Sequence, residues 1–287
     1  MRWLAVVLLL VACGKHHNAG KVDEKAAKEL FDVVELKGAP PGISDLTADD
    51  KGTLWAIAER ERVVIEIAPD GSFKRHPIEG VEDGLDTEGL VWLGNGQFGL
   101  GLEATHKPIA AVAFADLDGD KLVVHDINKL GSYGLGVEIT SNHGIESVCG
   151  TKNELIAVTE SVITQSDGAR DAVLVRVRPG ETQMSNLRLT TTKGKISGLY
   201  CTVDADGNLE ALAIERHYGV ERLLHFVAKR SDRIITPELV LDLAPILHDS
   251  LNLEGITKLP DGRMVLVNDN QGDEVKGPTE LLYFHPR

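Results

Sequence analysis

Five stretches of this chain repeat a pattern in which a fixed position is followed, some fifteen residues on, by a carboxylate. Three copies hold an acid at that position, Glu88, Glu146 and Glu254, and the other two hold Ser44 and Ser197. The second acids are Glu59, Glu103, Glu160, Glu215 and Asp269. Carboxylates gathered in this way are oxygen ligands for a hard cation such as Ca²⁺, which takes six to eight of them, and a cation so held can activate a water for hydrolysis. Two such groups about 6 Å apart repel by roughly 3 kcal/mol at an effective dielectric near 20. A ring of them therefore needs protons, metal ions or paired cations. Arg60 and Arg216 each directly follow one of the second acids and could supply local pairing. His143 precedes Glu146 by three residues and His217 follows Glu215 by two. Both are candidate general bases, since imidazole titrates near neutrality, although a histidine beside a turn is more often a solvated loop residue.

The elements that must position these acids are strands. Each copy reads as two strands around a turn: Asp50-Lys51-Gly52, Gly94-Asn95-Gly96, Lys152-Asn153, Asp206-Gly207 and Asp261-Gly262. Asn and Gly supply the positive φ that tight hairpins require. Two further strands follow in most copies, for example Arg62 to Ile67 and Phe73 to Ile78. The separation of the anchors, 44 to 58 residues, is the length of a four-stranded propeller blade. The expected fold is thus all-β, a β-propeller of five four-stranded blades, with six as the alternative. The last copy has only one further strand, Thr279 to Phe284, and the segment Leu30 to Leu36 is expected to complete it, closing the ring and removing an edge. First strands line the channel of a propeller, so Glu88, Glu146 and Glu254 are expected around one axis as metal ligands, with the second acids as an outer tier.

Other motifs carry less. Gly94-Asn95-Gly96-Gln97-Phe98-Gly99 matches a dinucleotide fingerprint but lies between strands with no helix behind it, so it reads as a turn. Asp116-Leu117-Asp118-Gly119-Asp120 and Asp204-Ala205-Asp206-Gly207-Asn208 lack the spacing and terminal Glu of a calcium loop. No serine-hydrolase elbow and no zincin motif occurs.

The chain opens with Met1-Arg2-Trp3, an apolar run from Leu4 to Ala12, and Cys13-Gly14. That is the plan of an export signal, and Leu10-Val11-Ala12-Cys13 resembles the lipobox of bacterial lipoproteins. We therefore expect residues 1–12 to be a signal peptide, Cys13 to carry lipid, 13–29 to be a polar tether, and 30–287 to form one domain. Gly rather than Asp at position 14 favours the outer membrane over the inner one. His16 and His17 beside Cys13 could bind a transition metal but read more simply as part of that solvated tether. With 30 Lys plus Arg against 44 Asp plus Glu, a net charge of −14, the basic footprint of a nucleic-acid binder is missing. The domain is expected to be a monomer that touches the membrane only through its anchor. Cys149 and Cys201 are consistent with one disulfide or two buried thiols. They lie three and four residues beyond their anchors, and this offset of one turns their side chains to opposite faces, so free thiols are expected.

The hairpins resemble those of the phytase-like propellers described as having esterase-like activity of phytase. The resemblance runs over about residues 40 to 285. It is densest at Asn252-Leu253-Glu254-Gly255-Ile256, Leu259-Pro260-Asp261-Gly262-Arg263 and Val265-Leu266-Val267-Asn268-Asp269-Asn270. Asp86-Thr87-Glu88-Gly89-Leu90 and Gly144-Ile145-Glu146-Ser147-Val148 match the same Glu-Gly element, with Ser147 departing from Gly. The resemblance implies a propeller and a calcium-assisted phosphoesterase activity, yet an acidic channel would repel a polyanion unless metal reversed the local field. Two functions follow as expectations. One is an envelope propeller that binds a small ligand or partner through an acidic, Ca²⁺-accepting channel. The other is a metal-dependent hydrolase of ester bonds, a phosphoesterase or lactonase.

Overall fold

A computed structural model describes residues 24–247, 251–270 and 277–285. Helix α1 (Glu24–Leu30) leads directly into strand β1 (Phe31–Glu35). Four-stranded antiparallel runs follow. The first is β2 (Ile43–Ala48), β3 (Leu54–Ala58), β4 (Val63–Ile67) and β5 (Phe73–Glu79). The second is β6 (Leu85–Gly94), β7 (Gln97–Ala104), β8 (Ile109–Asp118) and β9 (Lys121–Gly131), with a short helix α2 (Ser132–Leu135) after it. The third is β10 (Ile145–Thr151), β11 (Glu154–Thr164), β12 (Arg170–Arg178) and β13 (Glu181–Arg188). The fourth joins β14 (Lys195–Val203), β15 (Leu209–His217) and β16 (Val220–Ala228) to β18 (Glu238–Asp242), while the two-residue β17 (Ile234–Ile235) lies parallel on β13 of the previous run. The last is β19 (Asn252–Lys258), β20 (Met264–Asp269) and β21 (Glu280–Phe284), closed by β1.

That closure is the one expected from the missing strand: Phe31 pairs with Phe284 and Glu35 with Glu280. The first two runs also join at their outer edges, where β5 and β9 pair in parallel through Ile78 and Leu122. The inner strands adjoin in the cycle β2, β6, β10, β14, β19 and back to β2. One apolar layer fills each junction. Ile57, Leu90 and Phe98 bind the first run to the second, Val112, Ile145 and Val175 the second to the third, and Ile156, Leu199 and Leu224 the third to the fourth. Ile214, Ile256 and Leu266 bind the fourth to the last, and Leu46, Ile65 and Val267 the last to the first. Each such side chain contributes about 1.5–3 kcal/mol on burial. The arrangement is a β-propeller.

In every run the inner strand slips register by one residue, between Ile43 and Asp45, Thr87 and Gly89, Ile145 and Ser147, Ile196 and Gly198, and Leu253 and Gly255. The extra residues are Ser44, Glu88, Glu146, Ser197 and Glu254, the repeated position of the sequence. A β-bulge bends its strand and re-aims a side chain, which lets one residue per inner strand turn toward the axis. Glycine follows three of the bulges because the next inner strand passes close by. A Cβ on Gly255 would lie 2.6 Å from the Leu46 nitrogen, and one on Gly89 2.9 Å from that of Val148.

One expectation is overturned. Cys149 and Cys201 form a disulfide, with Cα atoms 5.7 Å apart. The parity argument holds for neighbouring strands of one sheet, whereas β10 and β14 belong to different sheets whose faces oppose each other. Side chains of opposite parity then meet in the layer between them, where both cysteines pack. The signal segment, Cys13, and His16 and His17 lie outside the described residues. From Glu24 onward the expected tether is helical.

Candidate functional site

The two serine anchors tie strands together. Ser44 Oγ donates to the Thr87 carbonyl of the next inner strand at 3.3 Å, and Ser197 Oγ donates to the Leu253 carbonyl at 2.8 Å. Glu88, Glu146 and Glu254 instead join a network at the end of the channel, where the inner strands begin. β7, β11 and β20 return to that end carrying Glu103, Glu160 and Asp269, and Glu59 directly follows β3. Two of these acids sit across from the residue two before the bulge: Asp86 faces Glu103 and Asn252 faces Asp269.

In the fourth run the same cross-strand place is filled by Arg216, opposite Lys195. Glu215 falls one residue early and so points to the other side; the hairpin of β14 and β15 is longer than the others, which puts the matching place 19 residues from Ser197 and Glu215 at 18. Its two oxygens accept the N–H and hydroxyl groups of Thr190 and Thr191 in the loop before β14, and Glu215 stands outside the outer tier.

The network has two unlike halves. On one side, Lys195 Nζ bridges Glu146, at 3.0 Å, and Glu160. Arg216 bonds Glu254 and Asn252, and Asn252 Nδ2 donates to Glu254 Oε1 at 2.9 Å. Burial resists the charge on Lys195, but Glu146, Glu254 and Glu160 outweigh it and hold its pKa above the ordinary value. Glu146 is likewise largely buried, yet Lys195, with Arg216 beyond it, keeps it below the usual carboxylate range.

On the other side, Glu88 shares a hydrogen bond with Glu59, itself paired to Arg60 at 3.5 Å. Burial, with the charges of Glu59 and Glu103 beside it, pushes Glu88 well above the usual range. Glu103 accepts the Gly144 N–H at 2.9 Å, but its burial and the nearby Glu146, Glu160 and Glu59 raise it to about 8. Glu160 rises to about 7 and Glu254 to about 8, in each case chiefly through burial. Glu254 Oε2 is buried and has no hydrogen-bond partner among the described residues.

The trio proposed from sequence as a Ca²⁺ site does not form a ready one. Oxygens of Glu146 and Glu254 are engaged by Lys195 and Arg216, and among the described residues no group of three or more His, Cys, Asp or Glu is arranged to hold a metal ion. His143 is exposed and turns its Nδ1 to the Ser141 carbonyl at 2.9 Å. His217 is exposed and packs edge-on against Tyr218.

Sequence reasoning missed Lys195 and Asn252, both two residues before the bulge, a position that looked unpatterned because it holds Gly42, Asp86, Gly144, Lys195 and Asn252 in turn. It also missed Asp45, the one acid standing where three copies have glycine. At the opposite end, a polar cavity of about 740 Å³ opens between the third and fourth runs. The buried Glu154 on its wall is already met by Arg176, Arg178 and Arg230, which makes it an internal ion cluster.

A family model described as "Phytase-like: Esterase-like activity of phytase" matches residues 39–272. No curated protein matches the chain in sequence. Among solved structures, the PQQ-bound aldose sugar dehydrogenase of Streptomyces coelicolor aligns at 13% identity over 89% of this chain and 98% of that one, with a TM-score of 0.52. A putative glucose dehydrogenase of Thermus thermophilus aligns at 10% identity over 89% and 100%, with a TM-score of 0.51. An exo-β-1,3-galactanase of Phanerochaete chrysosporium, solved with galactose, aligns at 9% identity over 88% and 64%, with a TM-score of 0.52. At such identities the likeness is one of fold.

Proposed function

Because the chain belongs to the phytase-like family, described as having esterase-like activity of phytase, we propose that it is a lipid-anchored envelope propeller that binds a small cationic ligand at the carboxylate end of its channel. One observation carries this reading: Glu88 and Glu103 are buried carboxyls whose pKa values are raised by burial and by neighbouring carboxylates, with Arg60 paired to Glu59 at their margin and Lys195 and Arg216 serving the opposite half. Charges arranged at such a cost are expected at a functional site. A ligand bringing an ammonium group, or Ca²⁺, would take the place of the protons that these raised carboxyls hold. The Cys149–Cys201 disulfide supports export, since such bonds persist in oxidising compartments, and the lipobox at Cys13 supports anchoring, with outer-membrane sorting following from Gly14.

Melting the protein with Ca²⁺, with a diamine such as putrescine, and with chelator tests the binding reading. A ligand at a hundredfold excess over Kd adds about 2.7 kcal/mol to the folded state, so at least one cation should raise Tm by several degrees. Equal melting in all three conditions overturns it. Replacing Cys13 with Ser should move the protein from the membrane to the soluble fraction, and a variant still processed and membrane-bound overturns the anchoring.

A hydrolase is the second reading, favoured by one observation. Glu103, raised to about 8, keeps its proton at neutral pH, while Glu146, held low, is ionised. Neighbouring carboxyls pushed apart in this way are the pairing of an acid and a base. Turnover of phosphate esters or lactones that is lost in both Glu103→Gln and Glu146→Gln would establish it. No turnover across the panel would leave the protein a binder.

A further inference from the structure

Among the described residues the inner strand of each run is a sheet edge, and its backbone N–H groups on the channel side have no partner strand. Unpaired buried donors are costly, so the channel wall must supply acceptors. β2 does this for β6. Thr47 Oγ1 accepts the Trp92 N–H at 3.0 Å, and above it Asp45 Oδ2 accepts the Leu90 N–H at 2.9 Å. Asp45 Oδ1 accepts the N–H of Leu46 in its own strand at 2.7 Å, and the carboxyl draws also on the Val148 N–H of β10. Leu46, Leu90 and Val148 hold the same place, two residues beyond the bulge, in three successive runs. Asp45 thus gathers equivalent donors from three inner strands, with its own surface fully buried. It stands where the second, fourth and last runs have Gly89, Gly198 and Gly255, so the acid is a departure from the repeat.

We propose that Asp45 is the positioning residue of the carboxylate ring: by joining β2 to the backbones of Leu90 and Val148, it sets the spacing between Glu88 and Glu146, each two residues upstream of a strand position it holds. The inference rests on reading the ring as a cation site, but its geometric core does not. Burial raises the Asp45 carboxyl well above its ordinary pKa, with the three N–H groups opposing and Glu254 nearby adding to it. The side chain is therefore an expensive choice for bracing alone, since Thr47 braces the next donor down with a hydroxyl.

The test uses the whole protein and two near-isosteric variants, Asp45→Asn and Thr47→Val. Asp45→Asn places an amide where one carboxylate oxygen accepted. Hydrogen exchange at the Leu90 and Val148 amides should then quicken tenfold or more, and the Glu88 and Glu146 carboxyl carbons, followed by NMR, should titrate at altered pH. If the parent binds Ca²⁺ or putrescine, Asp45→Asn should weaken that binding at least tenfold. Thr47→Val, one step further from the ring, should speed exchange at Trp92 while leaving the glutamate titrations and the affinity unchanged. Should Asp45→Asn fail to fold, Asp45→Gly, which restores the residue of three other runs, carries the same measurements. Unchanged exchange at Leu90 and Val148, or unchanged glutamate titrations, would overturn the proposal. A parent that binds neither cation overturns the binding reading, and the exchange and titration results still decide the role of Asp45.

Discussion

Replacing Lys195 with Met removes the cation between Glu146 and Glu160 while keeping an unbranched side chain one atom shorter. At 3.0 Å from Glu146, a unit charge pair at an effective dielectric near 20 attracts by about 5.5 kcal/mol. The cost of burying the ammonium cancels part of this, and removing one partner of a largely buried pair typically costs about 3–5 kcal/mol. At pH 8 we expect a loss near 3 kcal/mol. For a domain of this size that lowers Tm by roughly 6–12 °C. The loss depends on pH in a definite sense. In the parent, the lowered pKa of Glu146 contributes stability that is present above the unfolded carboxylate value and lost as pH falls through the folded one. In the variant, Glu146 loses its partner, so its pKa rises and a proton replaces the ammonium. The gap between the two proteins should therefore narrow as pH falls from 8 to below about 4.5. Melting curves at pH 4.5, 6 and 8 give the readout. A variant melting within 2 °C of the parent at pH 8, or a gap that stays constant across these pH values, would refute the assignment of Lys195 as the internal counterion.

Three further outcomes follow. Glu103 and Glu254, raised to about 8, and Glu160, raised to about 7, contribute stability that is full below the unfolded carboxylate pKa and lost as pH rises through these values; the parent should lose Tm between pH 5 and 8, and Glu103→Gln should flatten that slope. Thiol titration of denatured, unreduced protein should find no free thiol from Cys149 or Cys201, and Cys201→Ser should cost about 2–4 kcal/mol by denaturant unfolding, because the bridge spans 52 residues of sequence. Gly255→Ala would force a Cβ to within 2.6 Å of the Leu46 nitrogen, at the junction where the ring closes, and should cost about 3 kcal/mol or fail to fold, whereas Gly131→Ala, facing open space, should be near neutral.

The propeller was legible because its determinants are local and repeated. Turn residues such as Asn95 and Gly96, both with positive φ, recur from copy to copy at blade-length spacing, and the lone strand at the C-terminal end called for the segment at the other. The Glu position was legible for the same reason, and the structure gives it a cause, the bulge. What escaped reading is what depends on contacts between runs. Lys195 meets Glu146 from 49 residues away and Asp45 meets Leu90 from 45, and no periodicity within one strand encodes either pairing. The cysteines followed a rule for strands in one sheet when they face each other across two. Glu215 matched by residue type while its register put Arg216 in the matching place.

If the Glu88 and Glu103 side of the ring binds a cation, calorimetric titration at pH 8, where the raised Glu103 begins to give up its proton, will show it. Ca²⁺ and putrescine would each be titrated into the parent, into Glu88→Gln, and into Glu238→Gln, an exposed position on β18. We expect saturable binding of at least one cation by the parent, weakened tenfold or more in Glu88→Gln and unchanged in Glu238→Gln. Absence of binding by the parent, or equal affinity in Glu88→Gln, would contradict it.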